Sequence, residues 1–408
     1  MIVLDAYRLA ARAAAPGLRA MLRRRVASGK EDPARLAERF GIATLARPAG
    51  RLIWVHAASV GETMSVLPVI AALQSEVLLT TGTLTSARLA AERLPPSARH
   101  QFIPLDHPAW VNRFLGHWRP DAAVFVESEL WPTLLDACDA HGIPRLLINA
   151  RISAGSARNW ARAPSLAHRV LGPFRYIHAQ SAGDAAHLRG LGLSDVLEWG
   201  NLKFFAPELP VDESALAEIR AAIPGPTWLA ASTHPGEEAL VIQTHQTLLT
   251  EFPDLVTVIV PRHPERGAEI AAPAAAARRA LGQPPEPGQP YIADTLGELG
   301  LFFRAAPFAF IGNSLLGFGG HNLIEPAMLG CPVITGPHTE NFVEAAALLR
   351  AAGAMAEVAD AATLTEAARH WLQHPNLAAT AGTAARAAFP AGTLPARLAT
   401  LILDCALE

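Results

Sequence analysis

Cysteine is scarce in this chain. Cys138, Cys331 and Cys405 stand far apart in 408 residues, odd in number and without CxxC spacing, which argues against a disulfide framework and a thiolate zinc site and fits a reducing compartment. An excess of one charge is missing too: 17% of residues are charged and the formal net charge is −3, so bulk electrostatics recruits no nucleic acid. Long apolar runs are absent from the N-terminal segment, where Arg8, Arg12, Pro16 and Arg19 cut every stretch short of the ~20 residues a spanning helix needs. No small-residue cleavage site follows an apolar segment, so this part of the chain is expected neither to span nor to export. No heptad array, short repeat or low-complexity tract occurs. No DxD-like pair stands at a strand end, and Pro235 and Gly236 break the helix that an HExxH site would need around His234, Glu237 and Glu238, so neither a metal nor another cofactor is expected.

Half the residues are apolar, as in a globular protein, and at 408 residues the chain is too long for one core and fits two domains of about 200 residues each. Short Val/Ile/Leu-rich runs recur, each followed by a turn and an Ala/Leu-rich helical pattern: LIWVH (52–56), VLLTT (77–81), AAVFVE (122–127), RLLINA (145–150) and YIHAQ (176–180). The alternation predicts a parallel sheet covered on both faces. After GNLKF (200–204) the stretch APELPVDES reads as a linker, and the pattern restarts with TWLAAST (227–233), LVTVIVP (255–261), FAFIG (308–312) and CPVIT (331–335), LGQPPEPGQP (281–290) being an exposed loop. The expectation is therefore an α/β fold of two doubly wound domains, 1–206 and 207–408, with ligands bound in a cleft at the carboxyl ends of the strands.

Residues just after strands become the candidates. Glu62, in HAASVGE, follows LIWVH and opens a helix, where free N–H groups and the dipole stabilise a carboxylate while burial would raise its pKa; Gly61 is expected to permit the tight turn. Glu127 and Glu129 in VFVESELWP end another strand. Asn149 and Arg151 (INARIS) and Asn201 and Lys203 (GNLKF) add polar and cationic groups, with Lys203 suited to an anionic substrate or leaving phosphate. In the second half, Ser232 and Thr233 of STHPGEE, Arg262 and His263 of VPRHPER and the glycine-rich GFGGHNLIEP, with Glu325 as an acceptor for ribose hydroxyls, suit a nucleotide. Carboxylates in one half and cations with glycines in the other suggest group transfer from a nucleotide-activated donor. Residues 1–40 hold nine Lys/Arg against four acids, and Leu4, Leu9, Leu18, Met21 and Leu22 beside the arginines suit a helix lying on an anionic membrane surface.

Nine motifs in order across roughly residues 36–345, WVHAASVGE, VESELWP, NARIS, GNLKF, STHPGEE, VPRHPER, ADTLGEL, GGHNLIEP and TGPHTENF, make the sequence resemble the 3-deoxy-D-manno-octulosonic acid (Kdo) transferases of lipopolysaccharide synthesis. The resemblance implies a GT-B architecture of two Rossmann-like domains facing a central cleft, with the last helix packing back on the first, acceptor-binding domain. It implies inverting, metal-independent transfer of Kdo from CMP-Kdo to a lipid A precursor at the cytoplasmic face of the inner membrane. Glu62 falls at the general base, Glu127 and Lys203 at positions of transition-state stabilisation, and CMP contacts at Pro261, Arg262, Leu296, Gly297, Glu298, Asn322, Leu323, Ile324 and Glu325, beside Ser232 and Thr233. Ser59, Gly61 and Arg151 are the acceptor-side candidates. Many members carry a long apolar N-terminal anchor; the charged, alanine-rich segment here implies peripheral attachment. The competing readings are a GT-B transferase using another nucleotide sugar, such as a UDP-sugar, and a catalytically silent lipid-binding protein, against which the presence of Glu62, Glu127 and Lys203 weighs.

Overall fold

A computed structural model describes residues 2–317 and 319–407. The chain forms two compact units, one reaching up to Pro207 and resuming at Ala391, the other spanning Glu208–Pro390. The first is built on seven parallel strands, β1 (Leu52–His56), β2 (Glu76–Thr81), β3 (Ala98–Phe102), β4 (Ala122–Val126), β5 (Arg145–Ala150), β6 (Phe174–Ala179) and β7 (Val196–Leu197), in the order β3-β2-β1-β4-β5-β6-β7. The second repeats the design with β8 (Thr227–Thr233), β9 (Val256–Pro261), β10 (Ala277–Arg278), β11 (Pro290–Ile292), β12 (Ala309–Ile311), β13 (Val333–Thr335) and β14 (Met355–Glu357), in the order β10-β11-β9-β8-β12-β13-β14. Every residue of β1, β4 and β9 is buried, as continuous apolar strands between two helical layers must be.

The strand orders fix where ligands can enter. Winding reverses between β1 and β4 in the first unit and between β8 and β12 in the second, and in open α/β sheets the crevice outside the carboxyl ends of such a pair is the binding position. HAASVGE starts from the last residue of β1 and Glu127 follows β4; STHPGEE starts from the last two residues of β8 and the glycine-rich stretch follows β12.

The helix Leu394–Cys405 belongs to the first unit. Its Leu394, Leu398, Ala399, Ile402 and Cys405 share one core with Val66, Val69 and Ile70 of the helix Val60–Ala72 and with β1 and β4 residues. Leu398 and Ile402 have no exposed surface, and each such burial contributes about 1.5–3 kcal/mol.

Five strands carry no apolar run that the sequence could announce. The polar β3, ARHQF, edges the first sheet and is held by the 3-10 helix Pro33–Phe40: the Phe102 N–H donates to Glu38 Oε2 at 2.7 Å, and Arg35 donates to the His100 carbonyl at 3.0 Å. β7, β10, β11 and β14 have only two or three residues.

Candidate active site

Four residues other than glycine hold a left-handed φ at the carboxyl ends of central strands: Glu127 (57°) after β4, Asn149 (52°) in β5, Ser232 (56°) in β8 and Asn313 (62°) after β12. Such backbone costs of order 1–3 kcal/mol per residue and gathers where function holds it in place.

In the first unit, Ser59 caps the helix Val60–Ala72 and Glu62 answers it. The Ser59 hydroxyl donates to Glu62 Oε1 at 2.8 Å and accepts from the Glu62 N–H at 3.3 Å, while the Ala58 N–H donates to Glu62 Oε2 at 2.8 Å. The N-cap hydroxyl and the amide before it thus hold the carboxylate by both oxygens. Burial nevertheless pushes the Glu62 carboxyl above its ordinary range; the Ser59 hydrogen bond and the Ala58 amide oppose this, and the charges of Glu127 and Glu129 add to it. Gly61 corrects the sequence expectation. It lies inside the first helical turn without a left-handed φ, so the turn does not require glycine, and no atom lies within 4 Å of where its Cβ would stand. Ser59, an acceptor-side candidate, is committed to Glu62.

Glu127 is buried and meets Lys203, with Nζ to Oε1 at 2.7 Å. Lys203 is placed by the two asparagines flagged in the sequence. The Leu202 N–H donates to Asn149 Oδ1 at 2.8 Å and the Lys203 N–H to Asn201 Oδ1 at 3.0 Å, so INARIS and GNLKF act as one device that brings the 3-10 turn Leu202–Phe205 to the end of β5. Arg151 is exposed; its N–H donates to the Glu127 carbonyl at 3.4 Å and its own carbonyl accepts from Ser128.

In the second unit, Glu237 has no exposed surface and is an organiser of backbone. Oε2 accepts from the N–H groups of His234 and Asn313 at 3.0 and 2.7 Å, and Oε1 from Ser314 and Leu315 at 3.1 and 3.2 Å. Gly312 makes this approach possible, since a Cβ there would stand 2.5 Å from the Ser232 carbonyl and 2.8 Å from Glu237 Oε2. Glu238 pairs with Arg266 at 2.6 Å. Of the two hydroxyls in STHPGEE, that of Thr233 is wholly buried and only Ser232 reaches the surface, which removes the Thr233 side chain from direct ligand contact.

Arg262 is exposed just after β9, its N–H donating to the Thr233 carbonyl at 3.0 Å. Beside it stand three imidazoles. His234 Nε2 and His321 Nε2 are 2.9 Å apart, which requires one to donate and the other to accept, and His263 meets His234 edge-on. Burial, then the neighbouring His234, Arg262 and His263, holds His321 down at about 4. The glycine-rich stretch folds back on itself. Left-handed φ at Gly317, Gly319 and Gly320 lets the Gly320 N–H reach the Asn313 carbonyl at 2.9 Å and the His321 N–H the Gly312 carbonyl at 3.3 Å. Those two amides are thus used internally; Phe318 lies outside the described residues.

Leu323 and Ile324 are buried and offer only backbone to a ligand, while Asn322 Oδ1 accepts from the Ile324 N–H at 2.9 Å. Burial raises the Glu325 carboxyl to about 7 against a hydrogen bond from Asn322. Leu296 is 78% exposed and Gly297 is exposed beside it. The Glu298 carboxylate is occupied by Arg279 at 2.5 Å and by the Thr295 hydroxyl, and the Arg279 hydrogen bond holds its carboxyl below the usual range. Pro261 ends β9, buried.

Comparison with known proteins decides the family. A profile described as 3-Deoxy-D-manno-octulosonic-acid transferase (kdotransferase) matches residues 34–206. The probable 3-deoxy-D-manno-octulosonic acid transferase, mitochondrial, of Arabidopsis thaliana is 37% identical over 358 residues, covering 82% of this chain and 80% of that protein. The chain belongs to the Kdo transferase family. The Bordetella pertussis member is 36% identical over 387 residues, covering 88% of this chain and 90% of its own length. The Rickettsia felis member is 36% identical over 301 residues, 71% of this chain and 64% of that one. Among solved structures, UDP-GlcNAc 2-epimerase from Neisseria meningitidis bound to UDP-GlcNAc superimposes with a TM-score of 0.59 at 14% identity, covering 88% of this chain and 100% of that one. Spinosyn rhamnosyltransferase complexed with spinosyn aglycone gives a TM-score of 0.52 at 18% identity, covering 87% and 100%. These likenesses speak for the fold alone, which is the GT-B architecture expected from the sequence.

For this Kdo transferase, sequence reasoning passed over His56, whose Nε2 lies 3.2 Å from Glu129 Oε2, and His321, although both stand inside quoted motifs. A lone histidine in a motif carries no signal of its partner. Glu237 was weighed only as a metal ligand, and its use of both oxygens on backbone amides follows from a loop geometry that spacing does not encode.

Proposed function

We propose that this chain transfers Kdo from CMP-Kdo to a hydroxyl of a lipid A precursor, with inversion and without a metal. The observation that carries the reading is Glu62: a carboxyl fixed through both oxygens at the β1/β4 switch point and made more basic by burial. A general base must hold its proton affinity close to the working pH, and a raised carboxyl does so better than an ordinary one. Glu62 takes the proton from the acceptor hydroxyl. The oxygen then attacks the anomeric carbon of Kdo on the face opposite the phosphate, and the bond to that phosphate breaks with its electron pair leaving on CMP. The Glu127–Lys203 pair stabilises charge in that transition state.

Donor binding is assigned to the second unit. Ser232, Pro261, Arg262 and the segments Leu296–Glu298 and Asn322–Glu325 hold CMP, with Leu323 and Ile324 acting through backbone. Metal-free departure is supported by how the two acids of STHPGEE are spent: Glu237 on four backbone amides and Glu238 on Arg266. Arg262 supplies the positive charge that a leaving phosphate needs.

The acceptor is a membrane lipid, and the reading places the protein peripherally at the cytoplasmic face of the inner membrane. Among the described residues no helix is long and apolar enough to cross a membrane. The helices Ile2–Ala13 and Ala15–Ala27 bury Leu4 and Leu22 and expose Leu9, Met21, Arg12, Arg23 and Arg24, the mixture of apolar and cationic groups that binds an anionic surface. The deciding experiment incubates purified protein with CMP-Kdo and a lipid A precursor and reads the lipid by mass spectrometry. A gain of Kdo is expected; no gain, with transfer from a UDP-sugar instead, overturns the reading.

A further inference from the structure

Lysine is almost missing from this chain. Of its 34 lysine and arginine side chains only Lys30 and Lys203 are lysine. Lys30 is exposed beyond the helix Ala15–Ala27, and Lys203 carries the ammonium that meets Glu127 Oε1 at 2.7 Å. An ammonium is a compact point charge at the end of a flexible four-carbon stem, whereas a guanidinium docks on a carboxylate as a planar fork. With no fork to orient it, the place of this charge depends on how firmly the backbone beneath it is held.

That backbone is the turn Leu202–Phe205, which only the two-residue β7 precedes. Two side chains at the end of β6 support it. Asn149, whose Oδ1 takes the Leu202 N–H, donates its own N–H to His178 Nδ1 at 3.1 Å. Asn201 Oδ1, which takes the Lys203 N–H at 3.0 Å, also accepts from Gln180 Nε2 at 3.2 Å. His178 and Gln180 are two residues apart, the spacing that puts side chains on one face of a strand. The Gln180 N–H in turn donates to the Ala150 carbonyl at 2.9 Å, so its backbone is tied to the end of β5.

Buried polar side chains find partners as a rule, and Gln180 is 9% exposed. What singles it out is the atom it reaches. A single oxygen, Asn201 Oδ1, receives both the Gln180 carboxamide and the Lys203 N–H, so the path from the Ala150 carbonyl through Gln180, Asn201 and Lys203 to Glu127 is bonded at every step.

We propose that Gln180 is a positioning residue for Lys203: its carboxamide fixes the Asn201 oxygen that holds the Lys203 N–H, and so sets where the ammonium stands against Glu127. The proposal rests on the reading of Lys203 as a group that stabilises the transition state.

The test is Gln180→Met, close in shape but without the donor, in the full chain. It is expected to lower kcat by about tenfold or more, since misplacement of a catalytic group costs rate, with KM for CMP-Kdo within about twofold of wild type. In a Lys203→Met background the same change should alter kcat by less than about twofold, because both act at one point. An equal loss in the two backgrounds overturns the proposal, as does a wild-type kcat in Gln180→Met. The chain labelled with ¹³C at lysine Cε should give two NMR signals, that of Lys203 assigned by its loss in Lys203→Met. Gln180→Met should move this signal and leave that of Lys30 in place; an unmoved Lys203 signal overturns the proposal. If Gln180→Met does not fold, Gln180→Asn, which draws the carboxamide back by one methylene, is read in the same way. A wild-type kcat in Lys203→Met would sink the catalytic reading of Lys203, while the NMR signal would still decide whether Gln180 places it.

Discussion

A carboxylate that is to take a proton from a sugar hydroxyl must be ionised and yet basic, and the groups around Glu62 pull in both directions. Glu62→Gln keeps the shape and most of the hydrogen bonds but cannot accept the proton. Single-turnover kinetics should show a fall of about 10²- to 10⁴-fold, with CMP-Kdo affinity by calorimetry close to wild type; turnover within about tenfold would leave Glu62 as a helix cap. Glu325 tests the same physics through stability. Its folded carboxyl is raised to about 7 by burial, from an ordinary 4.5, so the folded chain binds a proton that the unfolded chain has released. Stability should fall as pH rises between those two values. Glu325→Gln should flatten that part of the profile of Tm against pH, and a slope unchanged from wild type would remove burial as its cause. The type and place of Glu62, Glu127 and Arg262 were legible because each stands just after an apolar run, whereas Lys203 follows only the two-residue β7. The Thr233 hydroxyl was misjudged because the bulge at Ser232 breaks the register between β8 and β9, and a one-residue irregularity decides which side chain faces outward.

At the scale of elements, the 3-10 turn Leu202–Phe205 depends on a residue from β5. Asn149→Gly keeps a residue at ease with the left-handed backbone but removes the oxygen that holds the Leu202 N–H. It should cost about 1–3 kcal/mol for the buried amide left unpaired and lower kcat more than it raises KM for the donor, since the turn positions Lys203. Urea melts and steady-state kinetics check both, and a variant that loses stability with no change in kcat would separate the turn from catalysis. The N-terminal helices are anchored as well as exposed: Tyr7 donates to Asp106 at 2.9 Å and Arg8 pairs with Asp136. Deleting them would strip core contacts together with surface charge. Changing Arg12, Arg23 and Arg24 to Glu leaves those anchors in place and should reduce flotation with anionic liposomes by about tenfold or more, each basic residue near such a surface being worth about 1 kcal/mol. Flotation equal to wild type would make the segment an ordinary solvated pair of helices.

At the scale of the molecule, one design is used twice, and it was legible because parallel strands buried on both faces read as unbroken apolar runs. LIWVH, RLLINA and TWLAAST coincide with β1, β5 and β8 residue for residue. Edge strands escaped for the opposite reason: β3 keeps its place through Glu38 and Arg35 of a neighbouring 3-10 helix, a partnership between distant residues that local pattern does not contain. The helix Leu394–Cys405 gives the strongest prediction about stability. Ile402→Ala, at a site with no exposed surface in the first unit's core, should cost about 2–5 kcal/mol. Thermal unfolding followed with probes in each unit should show the loss in the first, and equal destabilisation of the second would mean that the two unfold as one.

That same helix sets the order in which the protein can be made. Domains emerging from a ribosome usually fold in turn, N-terminal first. Here the face formed by Val66, Val69 and Ile70 must wait while the whole of Glu208–Pro390 is translated before its covering helix arrives. A nascent chain that has reached Pro207 thus carries an unfinished, sticky surface, and its vulnerability to aggregation is governed by elongation speed and chaperone capture rather than by the stability of the finished enzyme.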